Sequence, residues 1–316
     1  MPTVIGFLAT LPQSLVARPS KDPDKYATIP RFIEGVIAAG DSGMVSQHMQ
    51  WQPCDVAVIL GWAHLGNKKT SHLLLRDEIV RKQKETGCRV VIADSNLFLY
   101  RDTTNPHYYL RFSYDHVFPG LGEYCDNQSN SLRWKQIQGD MAVDLKPWRT
   151  RGHHVLLCLQ RDGGWSMNNY RVPDWAFNTI QVLRQSTKRP IVLRPHPGDK
   201  RAPEYVRAVL GLCRRAGLVG ISVSTHRDLT DDLRDCWAMV NHNSSPAVAA
   251  VIEGIPTFVT DPVHSQAKDV TNHDLTQIES PRLFERQLWV ERISQFHWSH
   301  RDLQQGHCWR HMRQYL

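Results

Sequence analysis

Short apolar runs recur along the chain, and amphipathic stretches separate them. Residues 4–8, 56–60 and 89–93 each read as a buried strand. Apolar residues at helical spacing predict a helix over 29–39 that stops at Gly40 and another over 71–84 that stops at Gly87. Between 97 and 148 the alternation breaks down. Aromatic residues, Gly120 and Gly122, and a polar run over 126–131 predict irregular structure with short strands there. The pattern resumes with strands over 154–159, 191–194, 219–223, 237–240 and 257–259, and helices over 174–184, 202–216 and 247–253. Two helical stretches, 281–296 and 301–315, close the chain. Strands and helices alternating at this length predict right-handed βαβ units and parallel sheets, in two halves that meet near residue 150. A cleft between two such halves would be the natural place for an active site.

Composition narrows the class. The 316 residues are 41% hydrophobic and 22% charged, enough apolar side chains for full cores and too few charges for long disorder. Seven scattered cysteines, none in a C-x-x-C pair, predict a reducing compartment and no structural zinc site. With no 18-residue apolar run and no signal-peptide pattern at Met1, a soluble, cytoplasmic protein without a membrane span is expected. A net charge of +7 with ten tryptophans is compatible with a polyanionic partner, nucleic acid first among them.

Two polar clusters sit where buried strands end. Arg194-Pro195-His196-Pro197 follows the strand over 191–194, and the prolines hold the His196 backbone extended. A fixed imidazole there can donate a hydrogen bond to a phosphate oxygen, with Arg194 adding charge. Asn243-Ser244-Ser245-Pro246 opens a helix, with Ser244 or Ser245 as N-cap and Pro246 in the first turn. Hydroxyls beside helix-start N–H groups also make an anion cradle. Glu253 lies two turns on, before Gly254-Ile255-Pro256, where a carboxylate could meet ribose hydroxyls or simply end a solvated helix. Gly163 and Gly164 follow the first strand of the second half, where glycines form a turn or admit a ligand close to the backbone.

This paired pattern resembles glycosyltransferases of the GT-B architecture, nearest to the capsule-polysaccharide and polysialyltransferase type, with a weaker likeness to glycerophosphate transferases. The likeness covers about 70 of the 316 residues. It implies a GT-B-like α/β fold: two Rossmann-like doubly wound domains facing a central cleft. Residues 1–150 would be the acceptor-side domain, 151–296 the nucleotide-sugar-binding domain, and 297–316 a C-terminal helix able to pack back on the first. It also implies that His196, Ser244 and Ser245 contact the diphosphate of an activated donor, with Glu253 on the ribose. UDP-glucose is the commonest such donor, and enzymes of this architecture usually need no bound metal. The run from His264 through Trp298 to Tyr315 is similar to proteins of tailed bacteriophages, some of which glycosylate hydroxymethylated pyrimidines in DNA. On that resemblance the expected partner is DNA containing 5-hydroxymethylcytosine, in host cytoplasm. A polysaccharide or lipid-linked glycan is the alternative acceptor. A non-catalytic nucleic-acid-binding protein on the same fold is the second alternative.

General chemistry adds two expectations. Negative charge grows on the departing phosphate, so preorganised donors there speed the reaction. An inverting transfer also needs a base for the acceptor hydroxyl. Asp94, at a strand end, is the first candidate, followed by Asp115 and His116. A retaining enzyme can work without one. Arg133, Trp134, Lys146, Trp148, Arg149 and Arg151, with Trp165, form a basic and aromatic stretch near the junction that could hold a splayed nucleotide or serve packing. Asp22-Pro23-Asp24 matches a D-x-D metal motif by composition only, since no strand precedes it.

Overall fold

The computed structural model describes residues 1–8, 24–64, 70–98, 105, 107–167 and 170–316. Asp22 and Pro23 of the D-x-D match lie outside them, as does the side chain of Trp165. The chain folds as two compact units. One comprises Met1–Asn96, Asn105–Asp140 and Glu291–Leu316; the other comprises Leu97–Thr104 and Met141–Val290.

In the first unit, β1 (Thr3–Phe7), β2 (Ser42–Ser46), β3 (Val56–Leu60) and β4 (Arg89–Asp94) are parallel. β5 (Leu110–Tyr114) runs antiparallel to β4, and β11 (His297–Trp298) antiparallel to β5. The sheet order is β11-β5-β4-β3-β1-β2. Alternate strand residues face opposite ways, which loads both faces. Val4, Val58 and Val91 pack with Phe32, Ile33 and Val36 of α1 (Asp24–Ala38) and with Trp309 and Met312 of α10 (His307–Met312). Ile5, Ile59 and Ile92 pack instead with Leu75 and Ile79 of α2 (Ser71–Thr86). The sheet is doubly wound.

The stretch read as irregular contains β5 and the helix α3 (Ser131–Met141). Asn130 starts that helix, its Oδ1 accepting from Leu132 N at 3.0 Å. The final helical stretch is broken into α9 (His300–Gln304) and α10 by Gly306, whose φ is 76°. A Cβ on Gly306 would sit 2.6 Å from the carbonyl oxygen of Gly35 in α1, so close helix packing demands glycine there. The stretch over 281–296 becomes helical only at α8 (Gln287–Ser294).

In the second unit, β6 (His154–Cys158), β7 (Ile191–Arg194), β8 (Ile221–Val223), β9 (Cys236–Asn241) and β10 (Thr257–Val259) are all parallel. Their order is β10-β9-β6-β7-β8. Counted within the unit this is 3-2-1-4-5, a doubly wound order whose switch point lies between β6 and β9. Val155, Leu157, Ile191, Leu193, Ala238 and Val240 pack with α4 (Val172–Ser186) and α5 (Ala202–Arg215). Two short helices, α6 (Leu229–Leu233) and α7 (Pro246–Ile252), flank β9 in sequence. No helix among the described residues is long and apolar enough to cross a membrane.

Candidate functional site

Open α/β sheets bind ligands outside the carboxyl ends of their strands, at the switch point. In the second unit those ends carry Gln160 and Arg161 after β6, His196 after β7, the Asn243-Ser244-Ser245 turn after β9 and Asp261 after β10. The turns are tied together. Gln160 Oε1 accepts from the Asn243 backbone N at 3.1 Å, and Asn243 Nδ2 donates to the Ser166 carbonyl and to Asp261 Oδ2, each at 2.9 Å.

His196 is set by its own turn. The backbone N of Gly198 donates to His196 Nδ1 at 3.0 Å, so Nδ1 holds the lone pair and a neutral ring carries its proton on Nε2. Burial pushes the His196 pKa below its ordinary value, and the charge of Arg161 pushes the same way. His196 is therefore a neutral hydrogen-bond donor at pH 7.

The cation beside it is Arg161, which the sequence reading missed. A Cβ at Gly198 would lie 2.6 Å from Arg161 Nη2 and 3.3 Å from His196 Cε1, so the guanidinium and the imidazole flank this glycine. Arg161 is exposed and has no carboxylate partner among the described residues. The expectation for Arg194 gives way. Arg194 is buried, at 8% exposure, and its guanidinium pairs with Asp232 and donates to the carbonyls of His226, Arg227 and Asp228. It holds the loop before α6 in place and has no face turned to a ligand.

Ser244 Oγ accepts from Asn241 Nδ2 at 3.0 Å, which leaves its O–H to donate. Ser245 is exposed. The expected cradle of helix N–H groups is mostly occupied: Ala247 N donates to the Ser244 carbonyl at 3.1 Å and Val248 N to that of Ser245 at 2.9 Å. The Ser244 and Ser245 hydroxyls are donors that this turn can offer.

Glu253 does not sit with them. α7 runs back from the strand ends, and its seven residues at ~1.5 Å each carry Glu253 about 10 Å down the sheet. There its carboxylate is buried and paired with Lys146. The ribose expectation for Glu253 is corrected on that ground. Gly163 takes φ 68°, and Gly164 N donates to the Arg161 carbonyl at 3.1 Å, so this pair turns the chain.

In the first unit the base candidates separate. Asp94 ends β4 at the carboxyl side and pairs with Arg111 at 2.5 Å. Asp115 is bound to the other end of that strand. Its Oδ1 accepts from Val90 N at 2.9 Å, and its Oδ2 pairs with Arg89 at 2.6 Å. At the amino end of β4, Asp115 is corrected from base candidate to strand anchor. His116 accepts from Phe118 N at 3.0 Å, and its ring centroid lies 4.1 Å from that of Trp62.

The basic and aromatic stretch is largely used inside the units. Arg133 is buried, pairs with Asp302 at 2.9 Å and lies 4.2 Å over the Trp298 ring; Trp134 is buried as well. Trp148 Nε1 donates to the Phe284 carbonyl at 2.9 Å under the guanidinium of Arg286. Arg149 donates to the carbonyls of Leu233 and Arg234. Arg151 is exposed, and Lys146 is spent on Glu253. Stacking on bases and contact with phosphates need accessible side chains, so the nucleotide-holding reading fails for Arg133 and Trp134. Among the described residues no group of three His, Cys, Asp or Glu side chains could hold a metal ion.

The fold has solved counterparts. A Thermosulfurimonas dismutans KpsC structure described as a beta Kdo 2,4 transferase superposes with a TM-score of 0.53 at 12% identity, covering 93% of this chain and 91% of that one. The fold is GT-B-like. A second KpsC structure from that organism, described as a beta Kdo 2,7 transferase, gives 0.51 at 10% identity over 97% of this chain and 98% of the other. No protein-family model matches the GT-B-like chain, and no curated protein sequence does.

Proposed function

We propose that the chain is a nucleotide-sugar-dependent glycosyltransferase that moves a sugar to a hydroxyl acceptor. The observation that carries this reading is the set of donors at the carboxyl ends of the second unit's sheet. The neutral His196 Nε2–H, the Arg161 guanidinium and the hydroxyls of Ser244 and Ser245 all suit a departing phosphate. Such donors bind the charge that grows on phosphate as the sugar–oxygen bond breaks, and so lower the barrier. The fold shared with two Kdo transferases supports the same class of reaction.

UDP-glucose is the donor we would supply first. For the acceptor, net charge of +7 and the phage-like C-terminal residues support 5-hydroxymethylcytosine in DNA, while the burial of Arg133 and Trp134 removes part of that support. The names of the two similar structures support a glycan instead. One experiment separates them. Labelled UDP-glucose, and then a panel of other nucleotide-sugars, is mixed with the purified chain and three acceptors: a hydroxymethylated duplex, the same duplex unmodified, and an acidic oligosaccharide. Label in the modified duplex alone assigns the DNA acceptor; label in the oligosaccharide alone assigns the glycan. No label with any pair, together with DNA binding indifferent to His196→Ala, would leave a non-catalytic nucleic-acid-binding protein.

A further inference from the structure

The first unit has a switch point of its own. In the order β4-β3-β1-β2 the chain goes from β1 to β2 on one side, then to β3 and β4 on the other. A ligand of this sheet belongs outside the carboxyl ends of β1 and β3. β3 ends at Leu60, and Gly61 after it takes φ 83°. A Cβ on Gly61 would lie 3.1 Å from Arg76 Nη1 and 3.5 Å from Arg76 Cζ, so the guanidinium packs against this glycine. Arg76 reaches it from the second turn of α2.

The neighbouring strand end supplies a carboxylate that is already taken. Asp94 and Arg111 stand opposite each other on β4 and β5, and Asp94 Oδ2 pairs with Arg111 Nη2 at 2.5 Å. Asp94 follows Ile92 by two residues, so it points to the face that α2 covers. Its charge acts on Arg76 as well, but among the described residues no hydrogen bond joins the two. Arg76 is half-buried, and its Nε is buried with no hydrogen-bond partner. Burial pushes the Arg76 pKa below its ordinary value, and Asp94 opposes that without cancelling it. Two guanidiniums thus share one carboxylate, and the positive charge is in excess. The start of α2 adds to it: its first turn carries no acidic residue, and Thr70 makes no side-chain cap.

We propose that Arg76 is an oxyanion-binding residue, whose guanidinium takes one carboxylate or phosphate group of a substrate at the carboxyl end of β3. The planar fork of an arginine meets two oxygens of either group at once. A guanidinium that is partly desolvated and lacks a bonded carboxylate costs stability, and an arriving anion offsets that cost. An isolated group fits this place better than a nucleic-acid backbone. A backbone presents phosphates in series and is met by a row of cations, whereas the second cation here, Arg111, is already paired. Binding of an oxyanion by Arg76 stands apart from the transferase reading. Its assignment to the acceptor rests on that reading, because the donor phosphates have their proposed site in the second unit.

Three measurements on the full chain test this. The NMR signal of the Arg76 Nε–H, assigned with Arg76→Lys, is followed during titration with inorganic phosphate and, separately, with glucuronate, chloride keeping the ionic strength constant. The signal should move saturably with at least one of them, in wild type and in Arg161→Ala alike, and the tighter ligand tells phosphate from carboxylate. A signal that moves no more than with chloride overturns the site. Arg76→Met removes the unpaired charge and should leave the midpoint of denaturant unfolding at or above wild type. A midpoint below wild type overturns the proposal in favour of a structural arginine. In the transfer assay, Arg76→Gln should raise KM for an acidic oligosaccharide about tenfold, with KM for the nucleotide-sugar within about twofold of wild type. An unchanged acceptor KM overturns the acceptor assignment. Binding to unmodified duplex DNA with a salt slope that Arg76→Gln lowers by about one charge overturns the isolated group in favour of a backbone contact. A wild-type chain that transfers from no nucleotide-sugar overturns the transferase reading and the acceptor assignment with it, while the titration still decides whether Arg76 binds an oxyanion.

Discussion

Replacing His196 probes the proposed phosphate site most directly, because the structure leaves a single ring nitrogen able to donate. Nδ1 is occupied by the Gly198 N–H, so only Nε2–H can reach a ligand. A hydrogen bond to a charged group contributes about 1.5–3 kcal/mol, and preorganised donors at developing charge are worth about 10²- to 10³-fold in rate. His196→Ala should therefore lower kcat by about 100-fold in the label-transfer assay. Gln carries an amide N–H near the position of Nε2, and Asn carries one near Nδ1, so His196→Gln should recover about tenfold and His196→Asn nothing. The pH profile gives an independent check. With its pKa held below the ordinary value by burial and by Arg161, His196 is neutral at pH 7 and protonates only on the acid side. Protonation puts a hydrogen on Nδ1 and breaks the Gly198 contact, so the rate should be level from pH 7 to 8 and fall below about 6.5. A rate that climbs as pH falls would mean that imidazolium is the active form. An alanine variant with near-wild-type turnover would remove His196 from the reaction altogether.

Arg161→Ala should weaken UDP binding about tenfold in calorimetric titration with little change in Tm, since the residue is exposed and takes no carboxylate among the described residues. Asp232→Asn, by contrast, strips a buried guanidinium of its partner and should cost about 3–5 kcal/mol in denaturant unfolding; a loss under 1 kcal/mol would mean that Arg194 is not held as described. His297 is buried with Nδ1 2.7 Å from the Ile293 carbonyl, and burial pushes its pKa down to about 3. A depressed histidine pKa means that the unfolded chain takes the proton first, so stability is full above pH 6.5 and falls as pH drops toward 3. At pH 4.5 this group alone should cost roughly 2–3 kcal/mol relative to pH 7.5, and the curve for His297→Gln should lack that limb. Parallel curves for variant and wild type would refute the assignment.

The parallel strands were legible in the sequence because strands buried on both faces read as unbroken apolar runs. β6 is such a run, and so is β3. β2 was missed because Ser42-Gly43-Met44-Val45-Ser46 is an edge strand, half exposed, with the composition of a turn. α3 was missed because its one clear start signal, Asn130, lies at the end of a polar run. The rule that polar residues at strand ends bind ligands led to His196 and the serine turn, and the structure puts both at the carboxyl ends of one parallel sheet. Applied to β6 and β10, the same rule would have led to Arg161 and the Asp261–His264 pair. It failed for Glu253 because two helical turns reverse the direction of travel along the sheet. It failed for Asp115 because β5 runs antiparallel, so a residue just past its end meets the amino end of β4.

Charge shows the same divide between composition and placement. A total of +7 invites a nucleic-acid surface, yet several of the arginines that make up that charge are consumed by backbone, two of them from the stretch near the junction. Arg133 donates to the His297 carbonyl, Arg149 to those of Leu233 and Arg234, and Arg286 to those of Val251 and Lys146. A guanidinium has five donors in a fixed fork, which suits it to fastening chain ends and loops where helices and strands leave carbonyls unpaired. In this protein arginine is partly a structural adhesive, and its abundance says little about partners. Arg161 differs: its guanidinium lies beside His196 and Gly198, and among the described residues neither a carboxylate nor a carbonyl holds it. A cation left in that state beside His196, at the carboxyl ends of a parallel sheet, is what the proposed phosphate site would use to hold an anion.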